Sequence, residues 1–219
     1  MKSKQVKSKK RVAEHGEVFT SEREVNAMLD LVKQETERIE SRFLEPACGT
    51  GNFLAEILNR KLAVTDKRYK SAQTEWEFYA ILAVSSIYGI DILEDNVIEC
   101  RERLLRIFAE RYGQNFGGKC NPQCLNVASF ILKRNILWGD ALSLKTPDGL
   151  ALPIVFSEWS PVSDNGIKRR DFTMANLLES QPMNEPNLFS DLGERAFLPT
   201  PVAEFPVVHF MKLGVEDGF

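Results

Sequence analysis

The sequence predicts an α/β fold built on a parallel sheet, and three observations carry the prediction. First, residues 42–58, RFLEPACGTGNFLAEIL, run from an apolar pair (Phe43-Leu44) through a turn (Glu45-Pro46-Ala47-Cys48) and a tight Gly49-Thr50-Gly51 loop into a helical start at Asn52. A strand, a glycine loop and a helix in succession mark the place where open α/β sheets bind small ligands. Second, two later apolar runs, residues 86–93 (SIYGIDIL) and 135–142 (NILWGDAL), each lead into an acid, Asp91 and Asp140. Helical periodicity lies between them, and strands alternating with helices argue for parallel pairing. Third, the chain has 219 residues, 43% hydrophobic and 27% charged, which suits one such domain with a small appendage.

Composition also excludes several classes. No apolar run approaches the roughly 18–20 residues of a membrane span, and no apolar segment follows the basic N-terminus as a secretory signal requires. Four cysteines (Cys48, Cys100, Cys120, Cys124) in a chain of this length do not suggest a disulfide scaffold, so a reducing cytoplasm is expected. A net charge of −3 is not that of a generally cationic nucleic-acid binder. The basic residues are unevenly placed, however. Residues 1–11 carry Lys2, Lys4, Lys7, Lys9, Lys10 and Arg11 with no acid. Such a block reads as a solvated, flexible tail (residues 1–14); the functional alternative is a salt-sensitive arm that contacts phosphates.

Taken in order, Thr20 or Ser21 caps a helix whose apolar positions are Val25, Met28, Leu29, Leu31 and Val32. Residues 34–42 are polar and charged, a solvated connection. The helix after the glycine loop is expected to reach about Leu62, with residues 63–75 as a surface excursion. Residues 75–87 read as a helix whose aromatics, Trp76, Phe78 and Tyr79, pack in the core rather than stack on bases. Residues 86–93 form a buried strand. Residues 94–112 form an amphipathic helix with Val97, Ile98, Leu104, Leu105, Ile107 and Phe108 on one side; Arg101, Arg103, Arg106 and Arg111 read as its solvated face. Residues 113–124 read as a loop. Cys120 and Cys124 invite a zinc site, but the two histidines, His15 and His209, are remote in sequence, so free thiols and no metal are expected. A short helix (125–133), a strand (135–142) and a further strand at residues 152–156 follow.

The loop itself narrows the ligand. It lacks the third glycine of GxGxxG, because Phe53-Leu54 stand there, and the GK[ST] ending of a phosphate loop is absent. Its string, Glu45-Pro46-Ala47-Cys48-Gly49-Thr50-Gly51-Asn52-Phe53-Leu54, closely resembles the S-adenosylmethionine loop of the N6-adenine DNA methyltransferases of restriction–modification systems. That resemblance implies a Rossmann-like methyltransferase fold and S-adenosylmethionine as cofactor. It implies that Glu45, Pro46, Ala47, Gly49, Gly51, Asn52 and Phe53 form the cofactor loop. Gly16, Phe19 and Thr20 match the Gly-x-x-Phe/Tyr-Thr segment that closes over the methionine end, with Ser21 where the family usually has proline. Asp91 stands where an acid at the end of the second strand grips ribose hydroxyls; a helix cap is the alternative, but Asp95 or Glu94 could cap equally well, so ribose binding is expected. Ile92 would lie against the adenine face. Asp140 stands where an acid accepts the adenine amino group, with Ala141 beside it. These segments occur in the family's order.

In the family the next strand ends in Asn/Asp/Ser-Pro-Pro-Tyr/Phe, which orients the target amine and stacks on the flipped base. Here residues 152–156 lead into Ser157-Glu158-Trp159-Ser160-Pro161, and no such motif occurs in the chain. Ser157 is the candidate for orienting the amine. Beyond it, Asp171-Phe172-Thr173 is expected to cap a short helix through Leu178. Five of the ten prolines fall at residues 182–206 (Pro182, Pro186, Pro199, Pro201, Pro206), so residues 181–219 read as an irregular tail or docking segment, with one edge strand at residues 207–211. A cofactor-binding domain at residues 15–180, incomplete at its C-terminal side, is the expected organisation. DNA, and a partner subunit of a restriction–modification or phage-defence system, are the expected partners. The alternative is a catalytically degenerate cofactor-binding protein that serves as a partner or regulator.

Overall fold

The computed structural model describes residues 8–15, 17–178 and 199–215. It has a mixed α/β architecture with two sheets. The first is parallel, in the order β1 (Phe43–Glu45), β2 (Ile87–Asp91), β3 (Ile136–Trp138). Phe43 pairs with Ile87, and Gly89 in turn pairs with Ile136, so all three strands run out at one end of the sheet. All five residues of β2 are buried, as the centre of a parallel sheet requires. Two helices link each successive pair: α4 (Asn52–Tyr69) and α5 (Gln73–Ser85), then α6 (Glu94–Phe116) and α7 (Pro122–Asn135).

These helices bury one face of the sheet. Leu54, Leu58, Ile81, Val84, Leu104, Phe108, Val127 and Ile131 meet Ile87 and Ile136 in the main core. A smaller cluster of Tyr88, Ile90, Ile154, Phe156 and Met174 covers the opposite face. Before the sheet come α1 (Lys9–His15), α2 (Glu22–Asp30) and the short α3 (Lys33–Thr36). Ser21 caps α2 in a capping box: its Oγ accepts from the Glu24 N–H, and the Glu24 carboxylate accepts from the Ser21 N–H at 3.1 Å.

Several elements differ from the sequence expectation. Residues 9–15 are helical rather than a loose tail, while Lys2, Lys4 and Lys7 lie outside the described residues, as does Gly16. The helix after the glycine loop does not stop near Leu62 but continues to Tyr69. Asp66, which looked like a surface charge, receives Trp76 Nε1 at 2.7 Å, Asn115 Nδ2 at 2.6 Å and Arg111 at 2.9 Å. Tyr69 stacks on Tyr79 with ring centroids 3.9 Å apart. Likewise α6 passes through Gly113 to Phe116, because Tyr112 and Phe116 pack on Trp76. Three of the four arginines of α6 are anchors rather than a solvated face, Arg101 donating to the Ile136 carbonyl, Arg103 to Asn52 and Arg111 to Asp66, while Arg106 is exposed as expected.

The largest difference follows Asp140. The strand expected at residues 152–156 is not a further member of the parallel sheet. β4 (Val155–Val162) turns at Asp164-Asn165, both at positive φ, and pairs antiparallel with β5 (Gly166–Thr173). This second sheet also takes in β6 (Ala203–Glu204) and β7 (Val208–His209) alongside β5. Residues 199–215, expected to be largely irregular, therefore carry two short strands; Pro182 and Pro186 lie outside the described residues. The short helix α8 (Met174–Leu178) is capped by Thr173 as expected, its hydroxyl accepting from the Asn176 N–H at 3.1 Å. Asn135 at the end of α7 joins the two sheets. Its amide donates to the Ser85 and Ile87 carbonyls at 3.1 Å, and its carbonyl accepts from Trp159 Nε1 at 2.9 Å.

Candidate functional site

A cavity of about 500 Å³ opens at the ends of the three parallel strands. Its size suits a drug- or nucleoside-sized ligand. The β1 exit and its loop supply Glu45, Pro46, Ala47 and Gly49, and the first turn of α4 supplies Asn52 and Phe53. The segment before α2 supplies Phe19 and Thr20, the β2 exit Asp91 and Ile92, and the β3 exit Asp140 and Ala141. Every expected cofactor residue thus lines the cavity except Gly51, which lies behind the loop.

The loop has the shape its glycines allow. Gly49 and Gly51 have φ of +53° and +82°, where a side chain is strained. A Cβ on Gly51 would come within 2.6 Å of Cys100 Sγ, and one on Gly49 within 3.1 Å of the Phe19 ring. Gly51 is also the N-cap of α4 and brings no capping side chain. The first-turn N–H groups beside the cavity therefore depend on other acceptors. Asn52 holds the Phe19-Thr20 segment in place: its Nδ2 donates to the Thr20 carbonyl at 2.9 Å, and its Oδ1 accepts from Arg103 at 2.6 Å.

Asp91 organises the floor. Its Oδ2 accepts from the Gly49 N–H at 2.8 Å; its Oδ1 accepts from the Leu93 N–H at 2.9 Å and from Asn96 Nδ2 at 3.2 Å. Of about four acceptor sites on a carboxylate, three are in use, leaving one on Oδ2 for a ligand donor. Asp140 accepts from the Leu142 N–H at 2.9 Å, and this bond, with that of Ser143, holds its carboxyl below the usual range. Glu45 is the opposite case. Burial raises its pKa, partly offset by the Ala47 amide. Ile92 leaves its side chain half-exposed, while its carbonyl accepts from Trp138 Nε1 at 3.0 Å.

Sequence reasoning missed Glu17 and Asn96, which also line the cavity. Asn96 Nδ2 bridges Glu17 Oε1 at 2.8 Å and Asp91. Its signal was available, since it sits in the first turn of the helix that Asp91 precedes. Four carboxylates (Glu17, Glu45, Asp91, Asp140) therefore face the cavity, and no lysine or arginine is among its lining residues. That balance favours a ligand rich in donors or positively charged, and opposes a phosphate. Covalent chemistry from Cys48 is disfavoured, because its hydrogen bond with the free thiol of Cys100 and its burial both push its own thiol up.

Ser157 is not brought to this cavity. It lies within β4, 2% exposed, where its hydroxyl donates to Asp171 Oδ1 at 2.7 Å and accepts from Arg169 Nε at 3.2 Å. Trp159, its neighbouring aromatic, is buried against Phe130. Ser157 instead borders a smaller, mainly apolar pocket of about 260 Å³ beside β1, with Phe43, Tyr88, Phe156 and Phe172.

Compared with protein-family models, curated proteins and solved structures, the chain matches none of them. Among the described residues no group of three or more His, Cys, Asp or Glu could hold a metal ion, and no helix is long and apolar enough to cross a membrane. Cys124 is buried and its thiol is pushed up by that burial.

Proposed function

We propose that this chain binds S-adenosylmethionine in the acidic cavity and acts in the cytoplasm as a DNA adenine-N6 methyltransferase or as the modification subunit of a restriction–modification system, on a Rossmann-like methyltransferase fold. The observation that carries the reading is the set of Glu45, Asp91 and Asp140 around a cavity with no cation among its lining residues, the fourth carboxylate, Glu17, being paired behind the wall with Arg11. S-adenosylmethionine has what such a set suits: a sulfonium, an ammonium, a ribose diol and an exocyclic amine, with no phosphate. In this reading Asp91 accepts a ribose hydroxyl at its remaining site. The Asp140 carboxylate accepts the adenine amine, Ile92 lies on the adenine face, and Phe19 with Thr20 covers the methionine end. The cofactor, when bound, supplies an activated methyl group. The protein's part is to hold it and to exclude water, so that transfer follows from proximity and orientation toward a flipped base.

A second reading has its own support: the chain is a cofactor-binding partner or regulator without catalysis. The candidate strand for orienting the target amine lies in an antiparallel hairpin, and the Ser157 hydroxyl is occupied by Asp171 and Arg169.

Calorimetry with S-adenosylmethionine tests what the two readings share; no heat of binding at high micromolar ligand refutes both. Transfer of a radiolabelled methyl group to unmethylated genomic DNA, with and without the products of neighbouring genes, separates them. Label in DNA with the chain alone refutes the degenerate reading, and label only with a second protein identifies a modification subunit.

A further inference from the structure

We propose that Arg11, at the end of the basic N-terminal run, is a positioning residue that locks the cofactor-gripping carboxylate of the cavity in place. A lysine- and arginine-rich leader would ordinarily face phosphate. Arg11 instead turns inward from α1 and closes a ring of hydrogen bonds on the wall of the cavity. Its guanidinium reaches Asp95 Oδ2 at 2.5 Å and Oδ1 at 3.1 Å, Glu17 Oε2 at 2.7 Å and Oε1 at 2.8 Å, and Asn96 Oδ1 at 3.1 Å. The hydrogen bonds come from Nη1 and Nη2, while Nε and Glu17 Oε2 face each other as an ion pair; a planar guanidinium fork can meet two carboxylates and an amide oxygen at once.

The consequence passes through Asn96. With its Oδ1 accepting from Arg11, the amide is fixed so that Nδ2 faces Glu17 and Asp91. Asp91 then keeps the rotamer in which it accepts from the Gly49 and Leu93 N–H groups, and the glycine loop keeps its shape. The guanidinium also offsets the charge of Glu17, a buried carboxylate that would otherwise repel Asp91 across the cavity floor. Arg11 touches no ligand in this scheme and acts through Asn96 and Glu17. For its ligand the inference rests on the S-adenosylmethionine reading, while the relay to Gly49 is a property of the chain alone.

The test uses the full chain and the variants Arg11→Ala, Arg11→Lys and Lys9→Ala, an exposed control on the same helix. Two readouts are taken: amide hydrogen exchange at Gly49 and Leu93 without ligand, and the Kd for S-adenosylmethionine by calorimetry. Arg11→Ala is expected to speed exchange at both amides at least tenfold, with the helices α4 and α7 unchanged, and to weaken the cofactor about tenfold. Arg11→Lys, which retains the charge but loses the fork, is expected to fall between it and the parent chain, and Lys9→Ala to match the parent. If Arg11→Ala raises exchange throughout the molecule, Arg11→Lys decides alone. Exchange and affinity within twofold of the parent overturn the proposal, as does a loss confined to DNA binding. Faster exchange at Gly49 in a chain that binds no S-adenosylmethionine leaves the relay standing and removes the cofactor reading.

Discussion

Lys61 lies in the middle of α4 and is fully buried. Its Nζ contacts the carbonyls of Ile39 and Ser41 and, at 2.5 Å, Ser86 Oγ. Burial lowers its pKa from 10.5 to about 7, against the pull of Glu40 and Glu35. Nζ donates in all three contacts, since the Ser86 hydroxyl gives its own proton to the Ala83 carbonyl at 2.8 Å, so the lowering comes from burial and not from the partners. Replacing Lys61 with methionine removes the titration and retains most of the side chain's volume. Between pH 7 and 10.5 the unfolded chain binds a proton at this position that the folded chain does not, so the stability Lys61 contributes rises with pH. It is complete above pH 10.5, falls as the pH drops toward 7, and is flat below. Integrated from pH 7.5 to 9.5, the parent chain should gain about 2.5 kcal/mol relative to Lys61→Met. Urea unfolding followed by circular dichroism at the two pH values, under reducing conditions, measures it. Groups that titrate in both proteins cancel in the difference. A difference that does not change with pH would mean that the buried amine keeps its charge, and the reasoning would fail.

Three further substitutions bear on the site. Gly51→Ala should cost about 2–4 kcal/mol in the same unfolding assay, from left-handed strain and the clash with Cys100 Sγ, and adding Cys100→Ala should recover the steric part. Asp91→Ala should weaken S-adenosylmethionine at least tenfold by calorimetry, because the Gly49 N–H loses its acceptor, whereas Cys120→Ser should stay within twofold; equal effects would put the cavity in the wrong place. Ser157→Ala should lower stability by about 1–3 kcal/mol, since it takes a partner from the buried Asp171. It should leave the cofactor Kd within twofold, and a larger loss would show that the hairpin reaches the cavity.

What could be read from sequence was what neighbouring residues decide. The turn at Glu45–Cys48, the positive φ at Gly49 and Gly51, and the acids at the ends of β2 and β3 are local chemistry, and each stands where the sequence places it. What could not be read depends on distant partners. Asp66 looks solvated until Trp76, Arg111 and Asn115 are brought to it by two other helices. Arg11 looks like part of a tail until α6 presents Asp95 and Asn96. The hairpin is a different kind of miss, because its signal was local. Ser163-Asp164-Asn165-Gly166 is a strong turn sequence between two extended runs, and both central residues take positive φ as a primed turn requires. Reading residues 152–156 as a parallel strand passed over it.

That hairpin also divides the molecule by the range of its contacts. β4 and β5 are joined by a tight turn, and such pairs close in roughly 1–10 μs. β1, β2 and β3 meet only after two helices have been laid down between each pair, and loop closure over such distances slows folding. The Ser157–Arg169–Asp171 hydrogen bonds lie within the hairpin, while partners from outside cover them: Tyr88 donates to the Ser157 carbonyl and Phe205 lies on the Arg169 guanidinium. Asn135 is the clasp between the two parts, and its bond to Trp159 requires both to be in place. The cavity, drawn from three strand exits and the Phe19-Thr20 segment, depends on these long-range pairings and not on the hairpin.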